Sequence, residues 1–387
     1  MSTKQHLTSL AASVPTPNEP SRLLFLDGLR GFAILTVMLR HYYMQTCHIG
    51  FPRWADVFGI EVGVRLFLAL SGFGLAWAYL GPKQRPFCTR DFFLRRCCRV
   101  LPTYYVALLL AVCLALPMAP YELLRQVGTH VTLTHNFFSD TVLGLYGPFW
   151  SMALEFQLYL FFPFVLWSFR RWGVGKTLLG LFLFHVAFRT YTMRYGTIYN
   201  PYTFTVQWSV LGRLFIFALA MGASTLVAKW QISPPSRLLH QLIPVATSLL
   251  LIGGVLTRHS LGVVHPISGL CYSFGFVGVI LWCSIRQDWL TRLLQFRLLT
   301  TLGTMSYSVF LVHAHILTYM VSPWYASLQS PPSPLVVLPF ALAAMVTVSW
   351  LFHWGVEKPL SDYFYRLRTQ QDKSLLASSL IVSQRKF

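Results

Sequence analysis

Long runs of apolar residues recur along almost the whole chain. A bilayer is crossed by an α-helix of about 20 apolar residues, and windows of that length predict ten membrane spans. They lie at residues 23–45, 57–80, 100–118, 148–169, 177–191, 208–228, 239–257, 261–284, 302–321 and 335–353. The pattern therefore predicts an all-α fold, a polytopic membrane helical bundle.

The first predicted span is apolar overall, yet it carries Asp27, Arg30, Arg40 and His41. Ionisable side chains are costly in hydrocarbon, so this helix must face protein or water. Eleven positions separate Arg30 from His41, which places both on one helix face about 16 Å apart. We interpret the helix as one wall of a polar channel, with Arg30 near the mouth and His41 farther in. A polar stripe that only joins helices is the alternative.

The fourth predicted span holds Glu155, with Ser151 and Tyr159 one turn away on the same face. A carboxylate inside a membrane must pair with a cation, take up a proton or meet water. Glu155 could orient His41, bind a substrate hydroxyl or neutralise Arg30.

Three further features are candidates for the same site. Arg96 and Arg99 share a helix face at the start of the third span, where they could bind phosphates or simply anchor the chain at the membrane surface. Arg213 lies in the sixth span and His313 in the ninth. A histidine that only packs between helices is the alternative for His313.

The longest predicted outer segment, residues 119–147, contains His130, His135 and Asn136. A connection of this length can line the outer mouth of a channel. We expect the two histidines to be solvated loop residues, with a role at the mouth as the alternative.

The chain has 387 residues, of which 55% are hydrophobic and 11% charged, and this composition excludes a soluble globular protein. The formal net charge of +19 follows mainly from membrane topology. With the N-terminus in the cytoplasm, 22 of the 31 lysines and arginines fall in inner segments and four in outer ones. We therefore predict cytoplasmic termini, membrane lipids as partners and no nucleic-acid partner.

The ends of the chain differ from its centre. Residues 1–21 are polar, contain prolines and lack an apolar signal-peptide core, so we expect a disordered cytoplasmic tail. Residues 22–365 form the predicted membrane domain, and residues 366–387 a polar cytoplasmic tail. The seven cysteines have the spacing of neither a disulfide framework nor a zinc site, so no metal is expected.

Five short motifs occur in order along this chain. They are R-x10-H, R-x-x-R before a proline, W-S-x-x-x-E-x-x-x-Y-L-x-x-P, S-Y-x-x-x-L-x-H and E-K-P. Together they resemble the acyltransferase-3 family of integral membrane O-acyltransferases over residues 22–365. The matching residues are Arg30 and His41; Arg96, Arg99 and Pro102; Trp150, Ser151, Glu155, Tyr159, Leu160 and Pro163; Ser306, Tyr307, Leu311 and His313; and Glu357, Lys358 and Pro359.

One position departs from the family pattern. Many members have an aspartate in the second helix where this chain has Arg65. Glu61 lies one turn earlier and could pair with Arg65 or compensate for the missing carboxylate.

The resemblance implies transfer of an acyl group, usually acetyl, from cytoplasmic acyl-CoA to a hydroxyl of a glycan, glycolipid or other glycoside. Acyl-CoA is then a co-substrate, no bound cofactor is needed, and the cell (plasma) membrane is the expected location. In this scheme His41 is the general base or carries the acyl group, Arg30 and the Arg96/Arg99 pair bind donor phosphates or the oxyanion, and Glu155 orients the imidazole or the acceptor. Supporting roles fall to Asp27, Trp150, Ser151, Tyr159, Arg213, Ser306, Tyr307 and His313.

A proton-coupled transporter or flippase of a glycolipid or small solute is the alternative function. Intramembrane histidine, arginine and glutamate suit proton coupling as well as acyl transfer.

Overall fold

A computed structural model describes residues 23–46, 60–115, 118–195, 208–261, 265–330 and 332–368. Within these ranges the regular structure is helical. The helices are α1 (Leu24–Thr46), α2 (Ile60–Leu80), α3 (Thr89–Leu114), α4 (Pro120–Val131), α5 (Trp150–Trp172), α6 (Val174–Tyr195), α7 (Leu214–Ile232), α8 (Arg237–Leu261), α9 (Pro266–Ile285), α10 (Trp289–Leu294), α11 (Arg297–Thr304), α12 (Ser306–Ile316), α13 (Ser322–Ser327) and α14 (Pro334–Phe352).

Seven helical segments of the described chain are long and apolar enough to cross a membrane. They are Val62–Leu80, Thr89–Leu114, Gly147–Trp172, Leu214–Ile232, Arg237–Leu261, Pro266–Ile285 and Pro334–Arg368. The predicted all-α membrane fold is confirmed. The other three predicted spans are also helical, at α1, at α6 and in the shorter pieces α11 and α12, but the count of ten and the side of the termini stay predictions.

The last long helix departs from the predicted boundaries. It runs from Pro334 to Arg368, well past the end expected at residue 353, and a π-helical turn at His353–Glu357 interrupts it. π-helical turns inside α-helices are rare and often occur at functional sites. The N-terminal tail and residues 369–387 lie outside the described residues.

Helix α1 connects the two apolar cores of the bundle. Its first half, with Phe25 and Leu29, packs into a core built mainly from α2, α5, α7 and α9. Its second half, with Val37 and Met38, packs into a core formed with α3, α12 and α14. The polar side chains of α1 therefore lie within the bundle.

Close helix contact fixes the first half of α1. A Cβ atom added at Gly31 would lie 2.0 Å from the carbonyl oxygen of Leu299, and one added at Gly303 would lie 1.7 Å from that of Asp27. Only glycine permits such an approach of two backbones. This contact between α1 and α11 sets the position of Asp27 and of the following turn.

The segment between α3 and α5 is folded onto the bundle. Asn136 and Gln157 exchange two side-chain hydrogen bonds of 3.1 and 2.8 Å, and Gln157 Nε2 also donates to the carbonyl oxygen of Leu133. Arg125 forms an exposed ion pair with Asp140 at 2.6 Å. The segment is thus tied to the start of α5, which carries Glu155.

His130 and His135 stack inside this segment, and our expectation of solvated loop histidines is wrong. Both are fully buried, their rings lie parallel with centroids 3.9 Å apart, and His130 Nδ1 donates to the carbonyl oxygen of Gln126 at 2.7 Å. The Tyr104 hydroxyl donates to the backbone oxygen of His130. Sequence spacing alone could not show that His130, near the end of α4, stacks on His135 in the turn that follows.

Acid is expected to destabilise this segment. Burial lowers the pKa of His130 to about 4, and burial together with the neighbouring His130 lowers that of His135 to about 3. The unfolded state then binds more protons between pH 6.5 and these values, so the stability contributed by the neutral pair is present above pH 6.5 and lost as the pH falls. The loss is about 1.4 kcal/mol per pH unit for each histidine. Thermal unfolding in detergent between pH 7 and 4.5 measures it.

The matched variant replaces both rings, His130→Phe with His135→Phe, and keeps the stacking without the titration. Its melting temperature is expected to fall less on acidification than that of the wild type. Equal pH dependence in the two proteins would contradict a role for the pair.

Candidate active site

A cavity of about 440 Å³ lies among α1, α2, α3, α5, α11 and α12. The first half of α1, the middle of α2 from Val64 to Leu75 and the first half of α3 supply much of its wall, so it extends from the middle of the bundle toward the end where α1 and α3 begin. Its polar lining residues are Asp27, Arg30, Ser71, Arg96, Arg99, Ser151, Glu155, Tyr159, Thr304, Ser306, Tyr307 and Glu357. The cavity therefore gathers polar groups from six helices and from the π-helical turn.

Asp27 and Arg30 form an ion pair on α1, with Arg30 Nη1 2.8 Å from Asp27 Oδ1. The carboxylate is almost buried, whereas the guanidinium keeps about a third of its surface, 34%. Arg30 also interacts electrostatically with Arg99 and Glu155. The arginine is thus held by its own helix and remains available to the cavity.

Glu155 is held by hydroxyl groups from two helices. Its Oε1 atom accepts a 2.9 Å hydrogen bond from Ser71 on α2 and a 2.6 Å bond from Tyr159 on α5. No described residue hydrogen-bonds to Oε2. The carboxylate is fixed through one oxygen, and the other can meet a ligand.

Arg96 and Arg99 line the cavity from α3, as their shared face predicts. The Arg96 guanidinium lies 6.0 Å from the centroid of the Tyr159 ring, in a cation–π contact, and Arg99 is exposed. The Tyr307 hydroxyl donates to the carbonyl oxygen of Val100 at 2.7 Å and ties α12 to this turn of α3. Arg99 is therefore the more accessible of the two cations.

Three other predicted residues lie close to this site. Ser151 and Ser306 line the cavity. Trp150 is buried and packs edge-to-face on Trp208, with ring centroids 4.6 Å apart, and it does not line the cavity. Its role is to pack the start of α5 beside Ser151 and Glu155.

The structure divides the predicted channel in two. Arg30 lines the cavity, but His41, three turns farther along α1, is not among the described lining residues. His41 instead contacts His313 of α12, with its Nδ1 atom 3.2 Å from His313 Nε2 and ring centroids 4.9 Å apart. In this structure the side-chain partner of His41 is thus His313, whereas Glu155 hydrogen-bonds to Ser71 and Tyr159.

Phe310 contacts both parts. Phe310 lines the cavity, and the centroid of its ring lies 5.9 Å from that of His313. Phe310 is one turn before His313 on α12, so the same helix presents a wall residue to the cavity and an imidazole beyond it.

The hydrogen bonds of the histidine pair fix the tautomers. His313 Nδ1 lies 2.9 and 3.1 Å from the carbonyl oxygens of Val309 and Phe310, so it carries the proton and Nε2 is an acceptor. His41 Nδ1, 2.9 Å from the Val37 oxygen, must then donate to that oxygen and to His313 Nε2. His41 Nε2 is left with its lone pair, and no described residue hydrogen-bonds to it.

Sequence reasoning missed two supporting residues. Ser71 lies six residues after Arg65 on α2 and was not predicted as a site residue. Its hydroxyl donates a hydrogen bond to Glu155. Tyr146 had no sequence signal. Its hydroxyl donates to the carbonyl oxygen of Phe310, accepts from Ala314 N and lies 3.4 Å from His313 Nδ1.

Arg213, a predicted supporting residue, lies outside the cavity. It is buried at the start of α7, and together with Arg65 and Arg189 it interacts electrostatically with His185. Arg65 also lies over the ring of Tyr272, 5.5 Å from its centroid. Arg65 thus belongs to a second buried cluster, and the side chain of Glu61 lies outside the described residues.

The acyltransferase-3 family model, described as an acyltransferase domain, matches residues 23–354 of the chain. The chain belongs to the acyltransferase-3 family. The match includes the cavity-lining positions of α1, α2, α3, α5, α11 and α12 and ends three residues before Glu357.

Two relatives of this acyltransferase-3 chain show how much of each sequence is shared. The peptidoglycan O-acetyltransferase OatA of Listeria monocytogenes is 25% identical over 322 residues, which are 76% of this chain and 49% of that protein. This chain therefore spans about half the length of OatA. Protein 2 in the picA locus of Rhizobium radiobacter is 32% identical over 179 residues, which are 41% of this chain and 86% of that protein. No solved structure matches the chain.

Substitutions at Glu155 are expected to separate its charge from its role as an acceptor. Glu155→Leu leaves the hydroxyls of Ser71 and Tyr159 without their acceptor, at a cost of about 1–3 kcal/mol for the buried hydroxyl of Tyr159. Glu155→Gln keeps a carbonyl oxygen for both and should melt close to the wild type. Thermal unfolding in detergent compares them.

The control is the same pair of substitutions at Glu122, an exposed glutamate on α4. There, leucine and glutamine are expected to have equal and small effects. Equal melting temperatures for Glu155→Leu and Glu155→Gln would refute the proposed hydrogen bonding.

Proposed function

We propose that the protein is a membrane O-acyltransferase that moves an acetyl or similar acyl group from acyl-CoA to a hydroxyl of a glycan or glycoside. The observation that carries the proposal is the placement of Arg30, Arg96, Arg99 and Glu155 on one cavity, next to a histidine pair with a free Nε2. The printed name of OatA, a peptidoglycan O-acetyltransferase, supports a glycan as the acceptor.

The position of the cavity and its arginines fit the acyl donor. Arg96 and Arg99 line the cavity from the first half of α3, which follows the basic α2–α3 connection. The distribution of lysine and arginine predicts that this connection lies in the cytoplasm. Acyl-CoA is cytoplasmic and anionic. Exposed Arg99 and its neighbour Arg96 would bind its phosphates, because guanidinium groups form paired N–H bonds to phosphate oxygens.

The free Nε2 atom of the histidine pair fits a role at the hydroxyl group of the acceptor. His41 Nε2 would take the proton of the attacking hydroxyl, while its Nδ1–H donates to His313 and stabilises the imidazolium that forms. The hydroxyl oxygen attacks the thioester carbon, and the C–S bond then breaks to release CoA. Arg30 lies about 16 Å from His41 along α1, so it would bind the donor inside the cavity. The proton taken from the hydroxyl balances the thiolate, so the products are an O-acyl ester and CoA thiol.

Phe310 stands between donor and base in this scheme. Rotation of this ring would join the cavity to the histidine pair, either for direct attack or for transfer through an acyl group on His41 Nε2. The split arrangement fits a reaction whose donor and acceptor approach from opposite sides of the membrane.

The decisive test measures transfer from radiolabelled acetyl-CoA to glycan acceptors by the purified protein in lipid nanodiscs. His41→Ala is expected to abolish transfer. His313→Gln should lower kcat about 10–100-fold with little change in KM, because the base loses its orienting acceptor. The exposed His259→Gln is the control and should be fully active. Full activity of His41→Ala, or no CoA-dependent chemistry in the wild type, would refute the proposal, and the latter would favour transport.

A second experiment addresses the donor site. Arg96→Ala with Arg99→Ala should raise the KM for acetyl-CoA at least tenfold, because each charge-assisted hydrogen bond contributes about 1.5–3 kcal/mol. Arg85→Ala with Arg90→Ala removes two exposed cations of the same region that do not line the cavity, and it should change the KM little. Equal effects of the two double variants would assign Arg96 and Arg99 to surface charge alone.

A further inference from the structure

A second glutamate, Glu357, lines the same cavity from the π-helical turn of the last helix. It has no place in the proposed chemistry. The wider turn shifts the register of the helix at this point, and such turns persist mainly where a side chain must be placed. The placement of Glu357 therefore indicates a role separate from the proton-transfer step.

The hydrogen bonds of Glu357 occupy only one of its oxygens. Oε2 accepts from Ser308 Oγ on α12 and from His353 Nδ1 on its own helix, the latter at 2.8 Å. No described residue donates to Oε1. The side chain is only 16% exposed, so its orientation is held firmly while one acceptor oxygen remains available.

The charges of the cavity balance. Among the described lining residues three are arginines and three are carboxylates, namely Asp27, Arg30, Arg96, Arg99, Glu155 and Glu357. Asp27 already pairs with Arg30. An interior without net charge favours an uncharged polar chain over a phosphate. The phosphates would bind instead at the exposed Arg99.

An ionised carboxylate can only accept hydrogen bonds. The part of acyl-CoA between its phosphates and its thioester is the pantetheine arm, an uncharged chain with two secondary amides. Each amide N–H is a donor, whereas the thioester has none and a phosphate would be repelled by the carboxylate. The arm also carries one hydroxyl, but it lies toward the phosphate end, whereas the amides lie between it and the thioester. The N–H donor of an amide is thus the group that complements Oε1.

We propose that Glu357 Oε1 is a binding subsite for an amide N–H of the pantetheine arm of the acyl donor. The inference rests on the proposed function, because it requires acyl-CoA in this cavity. Ser308 and His353 hold the carboxylate, and Tyr307, which lines the same cavity, interacts electrostatically with both Glu155 and Glu357. The subsite thereby fixes how far the thioester reaches toward Glu155 and Phe310.

The first experiment needs no variant of the protein. Acetyl-CoA analogues in which one pantetheine amide N–H is replaced by an ester oxygen compete with radiolabelled acetyl-CoA for the wild-type protein in nanodiscs. One of the two analogues is expected to bind at least tenfold more weakly than acetyl-CoA, because the charge-assisted hydrogen bond is lost. Equal affinity for acetyl-CoA and both analogues would overturn the subsite.

The second experiment combines the analogue with a change at Glu357. Glu357→Gln keeps an oxygen for Ser308 and His353 but presents an NH₂ group in place of Oε1. It should weaken acetyl-CoA binding about tenfold and leave the affinity for the sensitive ester analogue near that of the wild type. Glu122→Gln, at an exposed site on α4, should change neither affinity.

Three other results of these experiments distinguish failure of the subsite from failure of the proposed function. If Glu357→Gln weakens both ligands equally, the glutamate serves only to join α12 to the last helix, and the subsite is overturned. If the wild type binds acetyl-CoA but shows no amide dependence, the subsite fails and the proposed function stands. If the wild type does not bind acetyl-CoA at all, the proposed function and the subsite both fail.

Discussion

The desolvation of ionised side chains is the constraint on which this bundle depends. A charged group in hydrocarbon costs several kilocalories per mole unless protein dipoles or opposite charges replace its water. In the cavity those replacements come from the same helix and from a neighbouring one: Asp27 pairs with Arg30 within α1, while Tyr159 of α5 and Ser71 of α2 donate to Glu155. The helices must therefore associate in this arrangement for the polar groups to be satisfied, and the cavity is a direct consequence of that requirement.

The two glutamates of the cavity are held in the same manner. Each is fixed through a single oxygen by two donors from two elements, Glu155 through Oε1 and Glu357 through Oε2. A carboxylate arranged in this way is rigid before any ligand arrives, so little ordering is required on binding. The cost of burying it is offset by the protein, and its free oxygen is left for recognition.

The histidine pair shows how the bundle separates two chemical environments. The carbonyl groups of two adjacent residues of α12, Val309 and Phe310, fix the proton of His313, and His313 in turn fixes the proton of His41. Phe310 lines the charged cavity and also contacts the ring of His313. The histidine pair and the charged groups therefore lie in adjacent but different surroundings, and α12 contributes to both.

The sequence by itself determined the membrane class, the all-α fold and most of the polar side chains that line the cavity. These follow from local rules: the length of apolar runs, the turn-to-turn spacing of Arg30 with Asp27 and of Glu155 with Tyr159, and the shared face of Arg96 and Arg99. Local spacing cannot show which helix faces which. Only the tertiary structure separated His41 from the cavity, buried His130 and His135, placed Arg213 in another cluster and brought Ser71 and Glu357 to the site. Those placements depend on contacts between helices far apart in the chain, and on a π-helical turn that no periodicity predicts.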